Sequence, residues 1–217
     1  MPLDPDHFPP VMCLTMDGLS LSHADQARAL VAAGAGWIQL RMKNVAPDVW
    51  LATAREVVAI GHGGGALVTI NDNVEIALAS DADGVHLGKL DEDWIAARAR
   101  LGTEKLLGGT VNNADDARRA AESHVLDYVG IGPLRFTNTK QKLAPVLGLE
   151  GIAALLPLLD GLPAWAIGGV LPSDLTALRA ARLAGVAVSS SLYANNQVTA
   201  NHAAYIAAWN ATSLAPQ

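Results

Sequence analysis

The chain has 217 residues, of which 51% are hydrophobic and 5% aromatic, and its formal net charge is -6. This length is normal for one α/β barrel, and the composition excludes a disordered or coiled-coil protein. The acidic balance argues against nucleic acid as the main partner, and no Lys/Arg run is typical of a membrane or DNA patch.

Eight short apolar runs alternate with eight amphipathic or alanine-rich segments along the chain. The runs predict strands at residues 11–15, 36–41, 66–70, 84–87, 105–109, 128–131, 164–167 and 186–189. The segments predict helices at residues 22–33, 47–60, 73–80, 91–100, 114–123, 149–158, 173–183 and 200–210. Capping residues open several of these helices, namely Ser22, Asp91, Asn113 and Ser173. The glycine-rich residues 61–65 precede a strand, so we interpret them as a flexible connector at the bottom of the fold.

Strict strand–helix alternation predicts an all-parallel sheet, and eight units are the number that closes into a (β/α)8 barrel. We therefore predict one α/β TIM-barrel domain over residues 1–217, with an N-terminal extension at 1–10 and a C-terminal tail at 211–217. An open doubly wound sheet is the alternative. It is disfavoured because no GxGxxG motif follows the first strand and no change in composition divides the chain.

Cysteine usage and the N-terminus predict the cellular location. Cys13 is the only cysteine, which excludes a disulfide framework and a thiolate metal site and is typical of a cytosolic protein. The first ten residues lack the basic start and apolar region of a secretory signal, and no apolar run reaches membrane-spanning length. We expect a cytoplasmic protein without membrane contacts, and homo-oligomers are compatible with the sequence.

Basic residues gather in the predicted strand-to-helix loops, which form the active face of a TIM barrel. Four of the five lysines and two arginines lie there: Lys43, Lys89, Lys140, Lys142, Arg41 and Arg135. An acidic protein with its lysines at one mouth is expected to bind an anion there. Thr137, Thr139 and Lys140 add two hydroxyls and an ammonium after the sixth strand, which suits phosphate; a solvated turn is the alternative.

Two carboxylates follow neighbouring strands at the same face. Asp72 ends the third strand and Asp91 lies just beyond the fourth. Hard oxygen ligands beside a basic cluster predict Mg2+ bridging to a phosphate; the alternative is that each aspartate only caps the next helix. Asn71 is predicted either to donate its amide to the same anion or to close an Asx turn.

The last two strands end in glycines and serines, at residues 168–169 and 189–191. Barrel loops after strands seven and eight frequently form a phosphate site from backbone N–H groups. Two anion sites are thus predicted at one mouth, one basic and one neutral. Between them, Gln39 is expected to point to the same side as Arg41 and to contact a substrate, and His86 is interpreted as a barrel-lining residue or, alternatively, a general base.

These segments together resemble thiamine phosphate synthase. The resemblance runs in order from about Leu14 to Ser190 through QLRMK, INDNVEIALASDADGVHLG, DYVGIGP, TNTK, LGLEGI, AIGGV and GVAVSS. It implies a Mg2+-dependent transferase of thiamine biosynthesis that joins hydroxymethylpyrimidine pyrophosphate to a thiazole phosphate, giving thiamine phosphate and pyrophosphate. The family's accepted route passes through a pyrimidine methylene cation that the thiazole nitrogen captures, so no protein nucleophile is expected.

The resemblance also implies roles for individual residues. The pyrimidine pyrophosphate is expected at Gln39, Arg41, Lys43, Asn71 and Lys140, and the thiazole phosphate at Thr137, Asn138, Thr139, Gly169, Ser189 and Ser190. Asp72 and Asp91 are the expected Mg2+ ligands, and Thr110 stands where a substrate-contacting serine is typical. Arg41, Lys43 and Lys140 are the expected catalytic residues, because they would neutralise the charge that grows on the departing pyrophosphate.

Several positions depart from the family pattern: Met42, Lys89, Leu90, His124, Arg135 and Phe136. None removes a ligand type, although together they leave room for a diverged relative. The alternatives are therefore a thiazole phosphate tautomerase of the same fold and a binding protein that has lost its chemistry.

Overall fold

The computed structural model describes residues 8–136 and 144–211. Eight parallel strands close into a barrel in which each strand pairs with its neighbours in the sequence and β8 pairs with β1. The strands are β1 (Val11–Leu14), β2 (Trp37–Leu40), β3 (Leu67–Asn71), β4 (Gly84–Leu87), β5 (Leu106–Val111), β6 (Tyr128–Ile131), β7 (Ala164–Ile167) and β8 (Gly185–Val188). The predicted (β/α)8 barrel is confirmed, and each strand lies within two residues of its predicted bounds.

Helices follow the strands and cover the outside of the barrel. They are α1 (His23–Ala32), α2 (Pro47–Gly63), α3 (Val74–Ala79), α4 (Trp94–Leu101), α5 (Ala114–Ser123), α6 (Gly148–Leu155), α7 (Leu175–Ala180) and α8 (Val198–Asn210). Three 3-10 helices accompany them, at Leu156–Leu159, Pro172–Asp174 and Ser190–Asn196. Within the described ranges, none of the helices is both long and apolar enough to cross a lipid bilayer.

Four local predictions about the helices were wrong. Helix α2 continues through Gly63, because Gly61 packs so closely on Val68 that no side chain would fit there, and this contact supports the last turn. Asp93 caps α4 with bonds to two backbone N–H groups, in place of Asp91. Ser173 lies inside a 3-10 helix, and the 3-10 helix after β8 was not predicted. The caps Ser22 and Asn113 are confirmed.

Aromatic side chains fill the lower half of the barrel. Phe8, Trp37, Tyr128 and Trp165 form this aromatic floor, with ring centroids 5.0 to 5.8 Å apart in the contacting pairs. Phe8 is buried, so part of the extension predicted for residues 1–10 packs inside the barrel. Glycines on facing strands make room for the large rings: a Cβ at Gly108 would overlap Tyr128. The barrel is therefore packed at its bottom and open at the carboxyl ends of its strands.

Candidate active site

A cavity of about 510 Å³ opens above the aromatic floor, at the carboxyl ends of the strands. Eight of the residues predicted to bind substrate or metal line it: Gln39, Arg41, Lys43, Asn71, Asp72, Thr110, Gly169 and Ser189. Ser190 lines it as well, at the start of the 3-10 helix after β8. The structure thus brings the predicted residues from six strands to one opening.

One end of the cavity carries charged side chains from the β2 and β3 loops. Arg41 and Lys43 lie on the first loop, and the Lys43 ammonium forms an ion pair with the Asp72 carboxylate. Asp72 has a left-handed backbone (φ 70), and its N–H donates to the His86 carbonyl at 2.8 Å. A left-handed aspartate is uncommon, and such backbone strain is concentrated at functional sites.

Asp91 stands beside Asp72 and caps no helix. Its carboxylate accepts a hydrogen bond from the Gly88 N–H at 2.6 Å. Partial burial and the neighbouring Asp72 carboxylate raise the pKa of Asp91, while the Gly88 N–H and Lys43 act in the opposite direction. The two aspartates therefore repel each other, as the predicted convergence requires. Within residues 8–136 and 144–211, no cluster of three or more His, Cys, Asp and Glu side chains could hold a metal.

The opposite end of the cavity is neutral. Gly168 and Gly169 follow β7 with left-handed backbones (φ 92 and 69), and Ser189 and Ser190 follow β8. The Ser189 hydroxyl oxygen is inaccessible to water and has no hydrogen-bond partner among the described residues. A buried hydroxyl in this condition is costly, and it is rare unless a ligand or water completes it.

Polar side chains on the inner strand faces lie between the two ends. Gln39 is buried and donates to the Met12 sulfur at 3.2 Å. The His86 Nε2 is 3.0 Å from the Thr110 hydroxyl, and both side chains line the cavity. His86 is therefore a barrel-lining residue, as interpreted from its place in the strand.

Some predicted cations do not serve the cavity as free charges. Lys89 forms an ion pair with Asp116 at the start of α5, and Arg135 pairs with Asp174. Lys105 pairs with Asp81 at 2.9 Å, at the opposite end of the barrel. Residues 137–143 are outside the described part of the chain; they include four predicted site residues and one further loop lysine, namely Thr137, Asn138, Thr139, Lys140 and Lys142.

Asn112 is a cavity residue that the sequence interpretation did not include. It follows β5 directly, and its side-chain amide donates to the Gly132 carbonyl at 2.5 Å. Its backbone N–H donates to Asp116 at 2.9 Å. The signal was present, because Asn112 stands just past its strand as Asp72 does, yet the adjacent capping residue Asn113 explained the pair of asparagines without a site.

Comparison with known proteins follows the same segments. The family described as thiamine monophosphate synthase matches residues 11–192, which is most of the chain. The chain belongs to the thiamine monophosphate synthase family. Family membership and the barrel agree with the resemblance in QLRMK, INDN and the later segments.

Members of the thiamine monophosphate synthase family from several bacteria are similar to this chain. The thiamine-phosphate synthase of Bacteroides fragilis is 38% identical over 175 residues, 79% of this chain and 85% of that protein. The protein of the same name from Myxococcus xanthus is 44% identical over 162 residues, 74% of this chain and 73% of that one. Among solved structures, thiamine phosphate pyrophosphorylase from Pyrococcus furiosus superposes with a TM-score of 0.83 at 25% identity, covering 93% of this chain and 96% of that one.

Proposed function

We propose that this protein joins 4-amino-2-methyl-5-hydroxymethylpyrimidine pyrophosphate to a thiazole phosphate, giving thiamine phosphate and pyrophosphate. One observation carries the proposal: a cationic end and a glycine–serine end open into the same cavity of about 510 Å³. A pyrophosphate is best bound where positive charge is concentrated, whereas backbone N–H groups and hydroxyls suffice for a monophosphate. Relatives named thiamine-phosphate synthase, similar over most of the chain, support the same reaction.

The pyrimidine pyrophosphate is assigned to the cationic end. Arg41 and Lys43 line this end, and Gln39 and Asn71 lie within reach of a ring that extends toward the barrel interior. Lys140, which the family resemblance adds to the same group, lies outside the described residues. The two cations and two amides match a ligand with a highly charged tail and a hydrogen-bonding ring.

The thiazole phosphate is assigned to the neutral end. Gly169, Ser189 and Ser190 offer backbone N–H groups and hydroxyls there, and the buried Ser189 hydroxyl gains a partner when a phosphate oxygen arrives. Three residues of the loop after β6 are expected to join them from outside the described ranges: Thr137, Asn138 and Thr139.

The aspartate pair fits Mg2+. Neither carboxylate caps a helix, and their mutual repulsion, expressed in the raised pKa of Asp91, is relieved by a divalent cation. Mg2+ typically takes one or two carboxylates and completes its shell with water and substrate phosphate oxygens, so two protein ligands are sufficient. When bound by Asp72 and Asp91, Mg2+ would neutralise negative charge on the pyrophosphate.

In the proposed reaction, the C–O bond between the pyrimidine methylene and the pyrophosphate breaks, and its electron pair leaves with the pyrophosphate. The lone pair of the thiazole nitrogen then forms a C–N bond to the methylene. Arg41 and Lys43 stabilise the charge that grows on the departing oxygen. Met12, Leu14 and Ile167 line the middle of the cavity with apolar groups and limit the water that would otherwise capture the methylene cation.

Incubation of the purified protein with both substrates and Mg2+ tests this proposal. Pyrophosphate should be released in step with thiamine phosphate, and no release should occur when either substrate is omitted. A protein that binds both substrates but releases no pyrophosphate would refute it. Arg118→Met is a suitable control variant, because Arg118 pairs with Asp115 on the exposed surface of α5, outside the cavity lining.

A thiazole phosphate tautomerase is the second candidate. His86 favours it, because its imidazole lines the cavity with Nε2 held 3.0 Å from the Thr110 hydroxyl, as a general base could be. Asp72→Ala separates the two activities: a synthase should lose turnover, whereas a tautomerase that needs no metal should stay fully active. The proposal also includes a cytoplasmic location, supported by the single buried cysteine, and allows a homo-oligomer.

A further inference from the structure

Arg135 joins two loops at the cavity mouth. Its Nη1 donates to the Gly169 carbonyl at 3.0 Å, and both terminal nitrogens donate to the Asp174 carboxylate. The Arg135 backbone N–H also donates to the Gly168 carbonyl at 2.9 Å. The bidentate pair compensates the arginine charge, so Arg135 is held as a structural contact of the β7 loop.

The same loop is held from its other side. Asp174 accepts a hydrogen bond from the Leu171 N–H at 2.8 Å and donates its own N–H to the Leu171 carbonyl at 3.0 Å. The Tyr205 hydroxyl donates to the Val170 carbonyl at 2.7 Å. Each of the four carbonyls of residues 168–171 therefore accepts a hydrogen bond from another part of the protein.

This pattern decides which way the backbone N–H groups of the loop face. In a trans peptide, the carbonyl of one residue and the N–H of the next point in opposite directions. Because the carbonyls of Gly168 and Gly169 are turned toward Arg135, the N–H groups of Gly169 and Val170 are turned away from it. Two successive glycine-type conformations cannot hold this orientation alone, since glycine is the most freely rotating residue in the chain.

Arg135 also fits closely over the glycines. A Cβ at Gly169 would lie 3.0 Å from the Arg135 Cβ, and a Cβ at Gly168 would lie 2.6 Å from the Pro133 Cβ. The segment after β6 and the glycine loop after β7 are therefore in direct contact. An arginine at position 135 is one of the departures from the family pattern, so the contact belongs to this chain's own sequence.

We propose that Arg135 and Asp174 form a clamp that positions residues 168–171 to bind the phosphate of the thiazole substrate. The clamp acts through the loop backbone and does not contact the substrate, so both are positioning residues. The inference rests on the proposed function for the identity of the substrate, while the loop geometry itself is independent of it.

Steady-state kinetics of Arg135→Met, Asp174→Asn and the double variant test the clamp. Each single variant should raise the KM for the thiazole phosphate about ten-fold and leave the KM for the pyrimidine pyrophosphate unchanged, because a displaced loop weakens one site only. The double variant should be no worse than either single variant, because the two residues act as one unit. Melting temperatures should change little, as for other partly exposed ion pairs, and Arg118→Met should behave as the wild type.

An equal rise in both KM values, an unchanged pair of KM values, or additive single effects would each overturn the clamp. If the wild-type protein releases no pyrophosphate, the proposed function fails, and amide hydrogen–deuterium exchange then tests the clamp alone. Residues 169–171 should exchange faster in Arg135→Met than in the wild type. Unchanged exchange there would overturn the inference without reference to any substrate.

Discussion

Ser189→Ala should weaken substrate binding and strengthen the fold at the same time. The Ser189 hydroxyl oxygen is buried at the neutral end of the cavity and has no hydrogen-bond partner in the described chain. Without ligand, an unsatisfied buried polar group costs roughly 1–3 kcal/mol, so its removal should stabilise the protein by about 1 kcal/mol. For a domain of this size, that gain corresponds to a rise of about 2–4 °C in melting temperature.

With ligand, the sign reverses. A hydrogen bond to a charged phosphate contributes roughly 1.5–3 kcal/mol. Because about 1.4 kcal/mol is a factor of ten in affinity, Ser189→Ala should raise the KM for the thiazole phosphate about 10- to 100-fold.

Thermal unfolding without ligand and initial rates at varied thiazole phosphate measure the two effects. Ser191→Ala is the matched control: the Ser191 hydroxyl is 2.8 Å from that of Tyr205, so its loss should lower the melting temperature. A Ser189→Ala protein that melts at a lower temperature with an unchanged KM would refute the reasoning about this hydroxyl.

Three further changes are expected to have measurable effects. Asp91→Asn should raise the Mg2+ concentration for half-maximal turnover about ten-fold or more while the amide still accepts the Gly88 N–H, as a Mg2+ titration with unfolding curves would measure. Lys43→Met should lower kcat on the order of 100-fold, because a donor that stabilises the leaving charge is lost. Burial lowers the pKa of His202, so the unfolded chain binds more protons below its ordinary pKa of about 6.5. Stability should therefore fall as the pH drops from about 6.5 toward the lower folded-state pKa, by at most about 1.4 kcal/mol per pH unit, and less steeply in His202→Gln.

Each of these expectations has a clear contrary result. An Asp91→Asn protein with an unchanged Mg2+ requirement would remove Asp91 from the metal site. Unchanged kcat in Lys43→Met would mean that Lys43 serves only to pair with Asp72. Identical pH–stability curves for His202→Gln and the wild type would show that His202 does not titrate differently on unfolding.

The fold was predictable because its pattern is repeated eight times. Parallel strands buried on both faces read as short apolar runs, and strict alternation with helices leaves few topologies. Helix ends were less predictable. Asp91, Glu92 and Asp93 are adjacent acids, and the cap is Asp93 because the direction of the chain leaving β4, which depends on tertiary packing, decides which one meets the first turn.

The site was predictable where it follows the strand ends and unpredictable where it depends on long-range contacts. Asn71 and Asp72 stand at the end of β3, so their position follows from the barrel itself. The pairing of Arg135 with Asp174 joins residues 39 positions apart, and no periodic pattern in the sequence contains that contact. The sequence alone therefore counted Arg135 among the cations available to an anion, whereas the fold assigns it to a carboxylate.

Phe8 stacks beneath Trp37 and Trp165, so the barrel has one opening for all traffic. Gln39 and Asn71 are only 2% and 7% exposed, which places the pyrimidine they are expected to bind deep below the rim. Whatever lies deepest has to enter first and depart last. The order of arrival and departure is therefore imposed by a blocked exit, and a side chain that precedes the first strand governs the sequence of events at the opposite end of the molecule.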